Sequence, residues 1–328
     1  MRTSPLSFLL VVALSLTACN KSGETPPTQV APEKVTIAQF GHVFLYLPLY
    51  VARAKGFFTE QGLDVSLVDT GGDDKTFAAV GGGSAQFGVA DPVFAAIARE
   101  QGKGGKVIAS LVNGVPFWGV TFRKDLQPIT DAKQFAKLRI ATYPSPSTNY
   151  AVMADTLKHA KVTDATVVQG AFGSLLAIAK ANQADVVMEL EPMASIAVAD
   201  GGSIVYSAAK SFGDFAFTGI TTTDDLLARK PAQAQAVVNA IAKAMTWVHS
   251  DFEGAISIAK AEFPEVPEAV LRSALRRLLD EGVIPSSPVV GEKAWANAVS
   301  LRQSLGDLKG NAPFADNVEM RFASKVKQ

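Results

Sequence analysis

Residues 35–68 read VTIAQFGHVFLYLPLYVARAKGFFTEQGLDVSLV, and this stretch decides the fold. Apolar and polar residues alternate from Val35 to Gln39, as they do in a strand. Pro48, which is tolerated at the first position of a helix, precedes apolar residues at helical spacing from Leu49 to Lys55. Leu63 to Val68 reads as a second strand. The unit is therefore βαβ, and its two strands are expected to run parallel in a covered sheet.

An aromatic loop joins the first strand to the helix. His42, Phe44 and Tyr46 alternate along it, so an extended backbone would place all three side chains on one face. In open α/β sheets, ligands bind at the loops that leave the carboxyl ends of strands, and this loop has that position. The rings could stack on a planar ligand or fill the core, and the sequence leaves both interpretations open.

The N-terminus has the pattern of a secretory signal. Residues 1–18 contain one early positive charge, an apolar run from Leu6 to Leu16 and small residues before Cys19. The run is shorter than the roughly 20 apolar residues that a membrane-spanning helix needs. Leu-Thr-Ala-Cys at 16–19 resembles the lipobox of bacterial lipoproteins, which implies lipidation of Cys19, with an ordinary signal peptide as the alternative. Residues 19–34 are expected to form a flexible tether.

Composition excludes several classes of protein. The 31 basic residues balance the 31 acidic ones, and the sequence lacks the basic stripe that is typical of nucleic-acid binders. Cys19 is the only cysteine in the sequence, so no disulfide framework and no cysteine-based metal site is expected. His42, His159 and His249 lack the spacing of metal ligands. We therefore expect no metal and no cofactor.

The mature chain repeats an α/β rhythm twice and then changes to long alanine-rich helices. Two strand-like passages, near 118–123 and 218–222, bracket the second α/β set and are expected to form a hinge. We therefore predict an α/β fold of two lobes. The first lobe would comprise 35–122 and 219–328, and the second would comprise 123–218. The C-terminal helices are expected to pack on the first lobe.

Several short motifs in this sequence resemble one family. They are LPLYVA at 47–52, KGFF at 55–58, GLDV at 62–65, QFGV at 86–89, ADV at 184–186 and EP at 191–192. These motifs resemble the type II periplasmic binding proteins of ABC importers, specifically the NMT1/THI5-like group, which is similar to the binding proteins for nitrate, sulfonates, taurine and thiamine-pyrimidine precursors. The likeness covers nearly all of the mature chain. It says little about the ligand, because the motifs mostly build the scaffold.

The resemblance implies a solute-binding lipoprotein that works outside the cytoplasm, in the periplasm or at the cell surface. Such a protein captures a small molecule between two lobes and delivers it to an ABC permease and its ATPase. A monomer, held to a bacterial membrane through its N-terminal lipid, is expected. Yeast-type members of the group are pyrimidine synthases that rely on a Cys-rich motif and a histidine. Because Cys19 stands alone, we expect no enzyme, and a pyrimidine-processing enzyme is the alternative.

Candidate ligand contacts in the first lobe lie where strands end and helices begin. Asp73 and Lys75 open a helix after a pair of glycines, Asp91 follows a strand, and Trp118 lies near the expected hinge. The glycines do not form a phosphate-binding loop, because Asp74 stands where such a loop has glycine before the lysine. Both Asp73 and Asp91 could instead cap helices.

Candidate contacts in the second lobe lie at one helix start and at two strand ends. The helix start offers hydroxyls and an amide, which suit an anion or a polar ligand. Its members are Ser145, Ser147, Thr148 and Asn149. Phe172 follows one strand, and Glu189 and Glu191 flank Leu190 at the end of another. A carboxylate at this position could accept hydrogen bonds from an amino or amidine-like group.

Together these candidates favour a ligand that carries amino groups. The predicted cleft contains several carboxylates, and Lys75 is its one evident cation. Nitrate and sulfonates would instead require hydrogen-bond donors and positive charge. We therefore favour a small aromatic molecule similar to a thiamine-pyrimidine precursor. A sulfonate, taurine or nitrate-type anion is the alternative.

Overall fold

The computed structural model describes residues 31–326, and these residues form a mixed α/β protein with two sheets. The predicted signal peptide at 1–18, the predicted lipidation site at Cys19 and most of the predicted tether fall outside the described residues. The tether was expected to extend to residue 34, but the first strand already begins at Glu33, which pairs with Leu63. Within 31–326, no helix has the length and apolar character needed to cross a membrane.

The strands are numbered in chain order. They are β1 (Glu33–Gln39), β2 (Leu63–Asp69), β3 (Phe87–Ala90), β4 (Lys106–Asn113), β5 (Trp118–Thr121), β6 (Arg139–Thr142), β7 (Thr166–Gln169), β8 (Val186–Glu189), β9 (Ser203–Ser207) and β10 (Ala216–Thr222). The first sheet has the order β2-β1-β3-β10-β4, and the second has the order β7-β6-β8-β5-β9. In each sheet four strands run in the same direction, and one strand runs antiparallel between two of them: β10 in the first sheet and β5 in the second.

The helices surround these sheets. They are α1 (Leu47–Ala54), α2 (Phe57–Glu60), α3 (Asp73–Gly81), α4 (Val93–Glu100), α5 (Thr148–Ala160), α6 (Leu175–Lys180), α7 (Met193–Ala199), α8 (Ala208–Phe212), α9 (Asp224–Arg229), α10 (Pro231–Ser250), α11 (Phe252–Glu262), α12 (Glu268–Asp280), α13 (Glu292–Leu305) and α14 (Phe314–Asn317). Short 3-10 helices cover Phe44–Tyr46, Ala132–Phe135 and Ala323–Lys325. The βαβ unit at 35–68 is confirmed, with β1 parallel to β2.

The two strand-like passages that bracket the second α/β set are both ordinary sheet strands. Trp118 in β5 pairs with Glu189 and Ser207 in the second sheet, whereas β10 pairs with β3 and β4 in the first. Each of these strands therefore pairs its backbone N–H and C=O groups within a single sheet, and neither strand connects the two sheets. The chain instead passes from one sheet to the other at 114–117 and returns at 208–215.

The C-terminal helices divide their contacts between the two sheets. Helices α10 and α11 pack on α1, beside the first sheet, as expected. Helix α12 packs against α7, and α13 packs against α5, so both reach helices that flank the second sheet. The apolar core is consequently continuous through both halves of the described chain.

Asp185 links the ends of three neighbouring strands of the second sheet. It lies directly before β8, and its side chain is only 9% exposed. The carboxylate accepts hydrogen bonds from the backbone N–H of Arg139 at 2.8 Å, from Nη2 of Arg139 at 2.9 Å and from Nη1 of Arg123 at 3.2 Å. These bonds, above all those from Arg139, lower the pKa of Asp185 to about 2.

We predict that Asp185→Asn lowers the free energy of unfolding by about 2 kcal/mol at pH 7, because two arginines lose their shared anion. The carboxyl pKa is lower in the folded than in the unfolded chain. Its contribution is therefore complete above about pH 4 and fades as the pH falls towards 2. Urea unfolding at pH 7 and pH 3 measures the difference, which should shrink at pH 3.

A matched control for this variant is Asp125→Asn. Asp125 also pairs with Arg123, but its side chain is 71% exposed. Exposed pairs contribute little, so this change should cost clearly less stability than Asp185→Asn does. Equal losses in the two variants would contradict the role of Asp185.

Candidate functional site

A small cavity lies where strand-end loops of the two sheets face one another. Its volume is about 60 Å³. Residues that follow β1, β2 and β3, together with two residues near the start of β10, line one side, and residues that follow β6, β7 and β8 line the other. The lining residues are Phe40, Val43, Leu45, Tyr46, Asp73, Asp91, Phe217 and Thr218 on the first side, and Tyr143, Ser147, Thr148, Phe172 and Leu190 on the second.

A buried arginine connects the two sides behind the cavity. Arg302, in α13, is 1% exposed, and its Nη2 donates to Oδ2 of Asp91 at 2.7 Å and to Oγ1 of Thr148 at 2.7 Å. The Thr148 hydroxyl in turn donates to Asp91 at 3.0 Å, and Nη1 of Arg302 donates to the carbonyl of Pro146 at 3.1 Å. We call Asp91, Thr148, Arg302 and the Pro146 carbonyl the Arg302 network. It joins the loop after β3 to the start of α5.

Asp73 contributes a second carboxylate to the first side of the cavity. It begins α3, and its Oδ1 accepts a hydrogen bond from the backbone N–H of Asp91 at 2.9 Å. Removal from water, together with the nearby charge of Asp91, raises the pKa of Asp73 to about 7. The positive charge of Arg302 opposes this shift only in part. Asp73 therefore holds a proton far more readily than an exposed aspartate does.

The opposite side of the cavity contains a buried tyrosine and glutamate. Tyr143 lines the cavity, and its hydroxyl donates to Oε2 of Glu189 at 2.7 Å. Glu189 is fully buried, and its Oε1 has no hydrogen-bond partner among the described residues. Burial raises the pKa of Glu189 to about 7. The hydrogen bond between Tyr143 and Glu189 therefore lies behind the mainly aromatic wall of the cavity.

Aromatic rings form the mouth of the cavity. Phe172 is 57% exposed, and its ring centroid lies 5.2 Å from that of Tyr143 and 6.4 Å from that of Phe40. These contacts bring together loops that follow β1, β6 and β7. Tyr46 is buried deeper, and burial raises its pKa well above the usual value. The cavity thus offers ring faces beside carboxylates.

Six of the residues proposed from the sequence line this cavity. They are Tyr46, Asp73, Asp91, Ser147, Thr148 and Phe172. Ser147 and Thr148 lie at the start of α5, where the Ser147 hydroxyl accepts a hydrogen bond from the backbone N–H of Tyr150. The strand-end rule therefore selected loops that line this cavity at several points.

The expectation that His42, Phe44 and Tyr46 share one face is wrong. Residues 44–46 form a 3-10 helix, so the loop is not extended and its side chains diverge. His42 stacks on Phe263 at 4.5 Å between ring centroids, and its Nε2 lies 3.1 Å from Oε2 of Glu262. Phe44 is buried against the same Phe263 ring. Only Tyr46 reaches the cavity.

The remaining candidates of the first side also do not line the cavity. Trp118 is fully buried, and its indole Nε1 donates to Glu281 at 3.1 Å, because β5 lies inside the second sheet. Lys75 is exposed and does not line the cavity, although it lies two residues after Asp73. Neither residue can be assigned a ligand contact.

Four of the residues that were proposed for the second lobe do not line the cavity. Asn149 accepts from the backbone N–H of Tyr143 and donates to the carbonyl of Met188, so it braces the loop. Ser145 is exposed and bonds through its backbone to Gln169. Glu189 lies behind the wall. Glu191 is buried and accepts from Nε of Arg277 in α12 at 2.6 Å, so its charge is already paired.

Sequence reasoning did not propose seven of the lining residues or Arg302. Phe40, Tyr143 and Phe217 line the cavity, and Arg302 organises it from behind. The strand-end rule could have found Phe40 and Tyr143, since each directly follows a strand. Arg302 gave no local signal, because it lies within a long C-terminal helix.

Comparison with known proteins agrees with this architecture. The family described as NMT1/THI5 like matches residues 44–255 of this chain. A putative binding protein, YtlA of Bacillus subtilis strain 168, is 26% identical over 302 residues, which cover 89% of this chain and 90% of YtlA.

Solved structures extend the comparison to the fold. The periplasmic aliphatic sulphonate binding protein SsuA from Escherichia coli superposes with a TM-score of 0.71 at 16% identity, over 90% of this chain and 95% of SsuA. The periplasmic nitrate-binding protein NrtA from Synechocystis PCC 6803 gives 0.66 at 16% identity, over 86% of this chain and 83% of NrtA. At such identities the likeness concerns the fold. With the family match spanning more than half of the chain, this protein belongs to the NMT1/THI5-like family and has the type II periplasmic binding protein fold.

Proposed function

We propose that this protein is the solute-binding component of an ABC importer. It would capture a small molecule between two lobes, one built on each sheet, and present it to a permease and its ATPase. The observation that carries the proposal is the cavity, because a ligand there would contact strand-end loops of both sheets at once. Family membership and the likeness to sulphonate-binding and nitrate-binding proteins support it.

The size of the cavity suggests how binding would proceed. A volume of about 60 Å³ is well below the roughly 300–1,000 Å³ of typical ligand pockets. A ligand the size of a pyrimidine would enter only when the two sides separate, with motion at the connections 114–117 and 208–215. A ligand that contacts both sides stabilises the closed arrangement, so those shared contacts determine its affinity.

The charge of the lining favours an amino-bearing aromatic ligand similar to a thiamine-pyrimidine precursor. Among the described residues that line the cavity there is no lysine or arginine, whereas Asp73 and Asp91 are both present. Arg302 is engaged by Asp91 and by Asp307 at 3.0 Å. A sulfonate, taurine or nitrate ligand would bring a second negative charge towards Asp73, at a cost in free energy.

Binding fits the chemistry of the site better than a pyrimidine-processing reaction does. Cys19 is the only cysteine in the sequence, so the chain lacks the Cys-rich motif of the synthases that this family resembles. We further propose that Cys19 is lipidated after removal of residues 1–18. A monomer would then be held at a membrane surface outside the cytoplasm through the tether.

Calorimetric titration with a panel of ligands tests the ligand class. We expect an aminopyrimidine to bind and taurine, alkanesulfonates and nitrate to bind at least about tenfold more weakly, because of the carboxylates in the lining. Tight oxyanion binding without pyrimidine binding would contradict the proposal. Mass spectrometry of the recovered ligand is the control, since a binding protein returns it unchanged.

The Arg302 network is expected to hold the two sides together before a ligand binds. Arg302→Lys keeps the charge beside Asp91. A lysine lacks the planar guanidinium, so it cannot at the same time donate to Thr148 and to the Pro146 carbonyl with the geometry of Arg302. We therefore expect a larger radius of gyration in ligand-free small-angle X-ray scattering, with unchanged helical circular dichroism. Arg321→Lys is the control, since its side chain is 50% exposed. An Arg302→Lys protein as compact as the parent would refute this role.

A further inference from the structure

We infer that Asp73 selects the charge of the ligand by pairing with a protonated amino or amidinium group. The inference rests on the proposed solute-binding function and makes its ligand class specific. Asp73 is then a specificity-determining residue, whereas Asp91 has a structural role.

The first support is the geometry of the Asp73 carboxylate. Its Oδ1 is held by the backbone N–H of Asp91 at 2.9 Å, so the group has a defined orientation at the start of α3. Within residues 31–326, no hydrogen bond or ion pair involves its Oδ2. Because Asp73 lines the cavity and its Oδ1 is already bonded, Oδ2 is the oxygen that we assign as the acceptor for a ligand N–H. Oδ1 therefore fixes the orientation of the carboxylate, and Oδ2 remains available to a ligand.

The second support is the distribution of charge around Asp73. Asp91 lies closest, but its charge is neutralised by Arg302 at 2.7 Å. Arg302 also pairs with Asp307 at 3.0 Å, so the two flanking aspartates claim its single positive charge. The exposed Asp74 adds negative charge on the same helix, and the Tyr46 phenol is the remaining titratable group nearby. With Asp73 itself, four carboxylates therefore lie around the single positive charge of Arg302, and a cationic ligand would reduce this excess of negative charge.

The third support is the protonation of Asp73 in the absence of ligand. Burial and Asp91 raise the pKa of Asp73 to about 7. A cation binds the ionised carboxylate, so below pH 7 it must displace a proton. Its affinity should accordingly fall by up to about tenfold for each pH unit below 7 and become constant above that value. A neutral or anionic ligand would show no such loss.

Calorimetry with three probes of one shape tests this inference. The probes are benzylamine, which stays protonated through the tested pH range, benzyl alcohol and benzenesulfonate. At pH 8 we expect benzylamine to bind at least about tenfold more tightly than the other two, because only it can pair with Asp73. Between pH 8 and pH 6 its affinity should fall by up to about tenfold, with about one proton released per ligand at pH 6.

Three variants isolate Asp73. Asp73→Asn should remove both the preference for benzylamine and its pH dependence. Asp74→Asn is the matched control, since it removes the same charge one residue along the helix from an exposed position. Glu189→Gln tests the other carboxyl with a pKa raised to about 7, which contacts Tyr143 behind the wall. Both controls should keep the benzylamine preference and its fall towards pH 6.

Folding of Asp73→Asn is checked by its thermal midpoint at pH 8. Replacing an unpaired, partly buried carboxylate with a neutral amide should leave the midpoint unchanged or raise it. If this folded variant binds benzylamine with the affinity and pH dependence of the parent, the inference is overturned while the solute-binding function stands. A parent protein that prefers benzenesulfonate also overturns the inference, and the ligand panel then decides the function separately.

Discussion

The buried charge of Arg302 is the constraint on which the architecture of the site depends. An arginine that is 1% exposed requires an opposite charge and hydrogen-bond acceptors close to it. Asp91 supplies the charge, Thr148 and the Pro146 carbonyl accept from its Nη atoms, and these partners come from opposite sides of the cavity. The loop after β3 and the start of α5 are therefore held at a defined separation. The cavity forms in the space that this separation leaves.

This arrangement also determines how charge is presented to a ligand. Because Arg302 neutralises Asp91, the first side of the cavity retains Asp73 as its one carboxylate without a cationic partner among the described residues. The aromatic rings of Phe172, Tyr143 and Phe40 line the same cavity, so a ligand meets flat apolar surfaces as well as this carboxylate. A site of this kind separates recognition of shape from recognition of charge. The family scaffold can then serve different ligands by changes in few side chains.

Local patterns predicted the loops of the site well and the side chains less well. Asp73, Asp91 and Phe172 follow strand ends and line the cavity, because parallel strands in one sheet end at one edge, and Thr148, which was proposed from a helix start, lines it as well. His42 and Phe44 were assigned from alternation, which holds only for an extended chain, and the loop is a 3-10 helix. Glu191 occupies a strand-end position, but its carboxylate pairs with Arg277 of a distant helix.

The sequence by itself determined the α/β rhythm, the parallel βαβ opening and the family motifs, because hydrophobic periodicity acts over short distances along the chain. Only the tertiary structure decided which polar side chains face the cavity and which are paired behind it. The pairing of Asp91 with Arg302 joins residues 211 positions apart, and no local pattern encodes such a contact. Burial of charge is the physical reason, since a charge removed from water must take the partner that the fold brings to it.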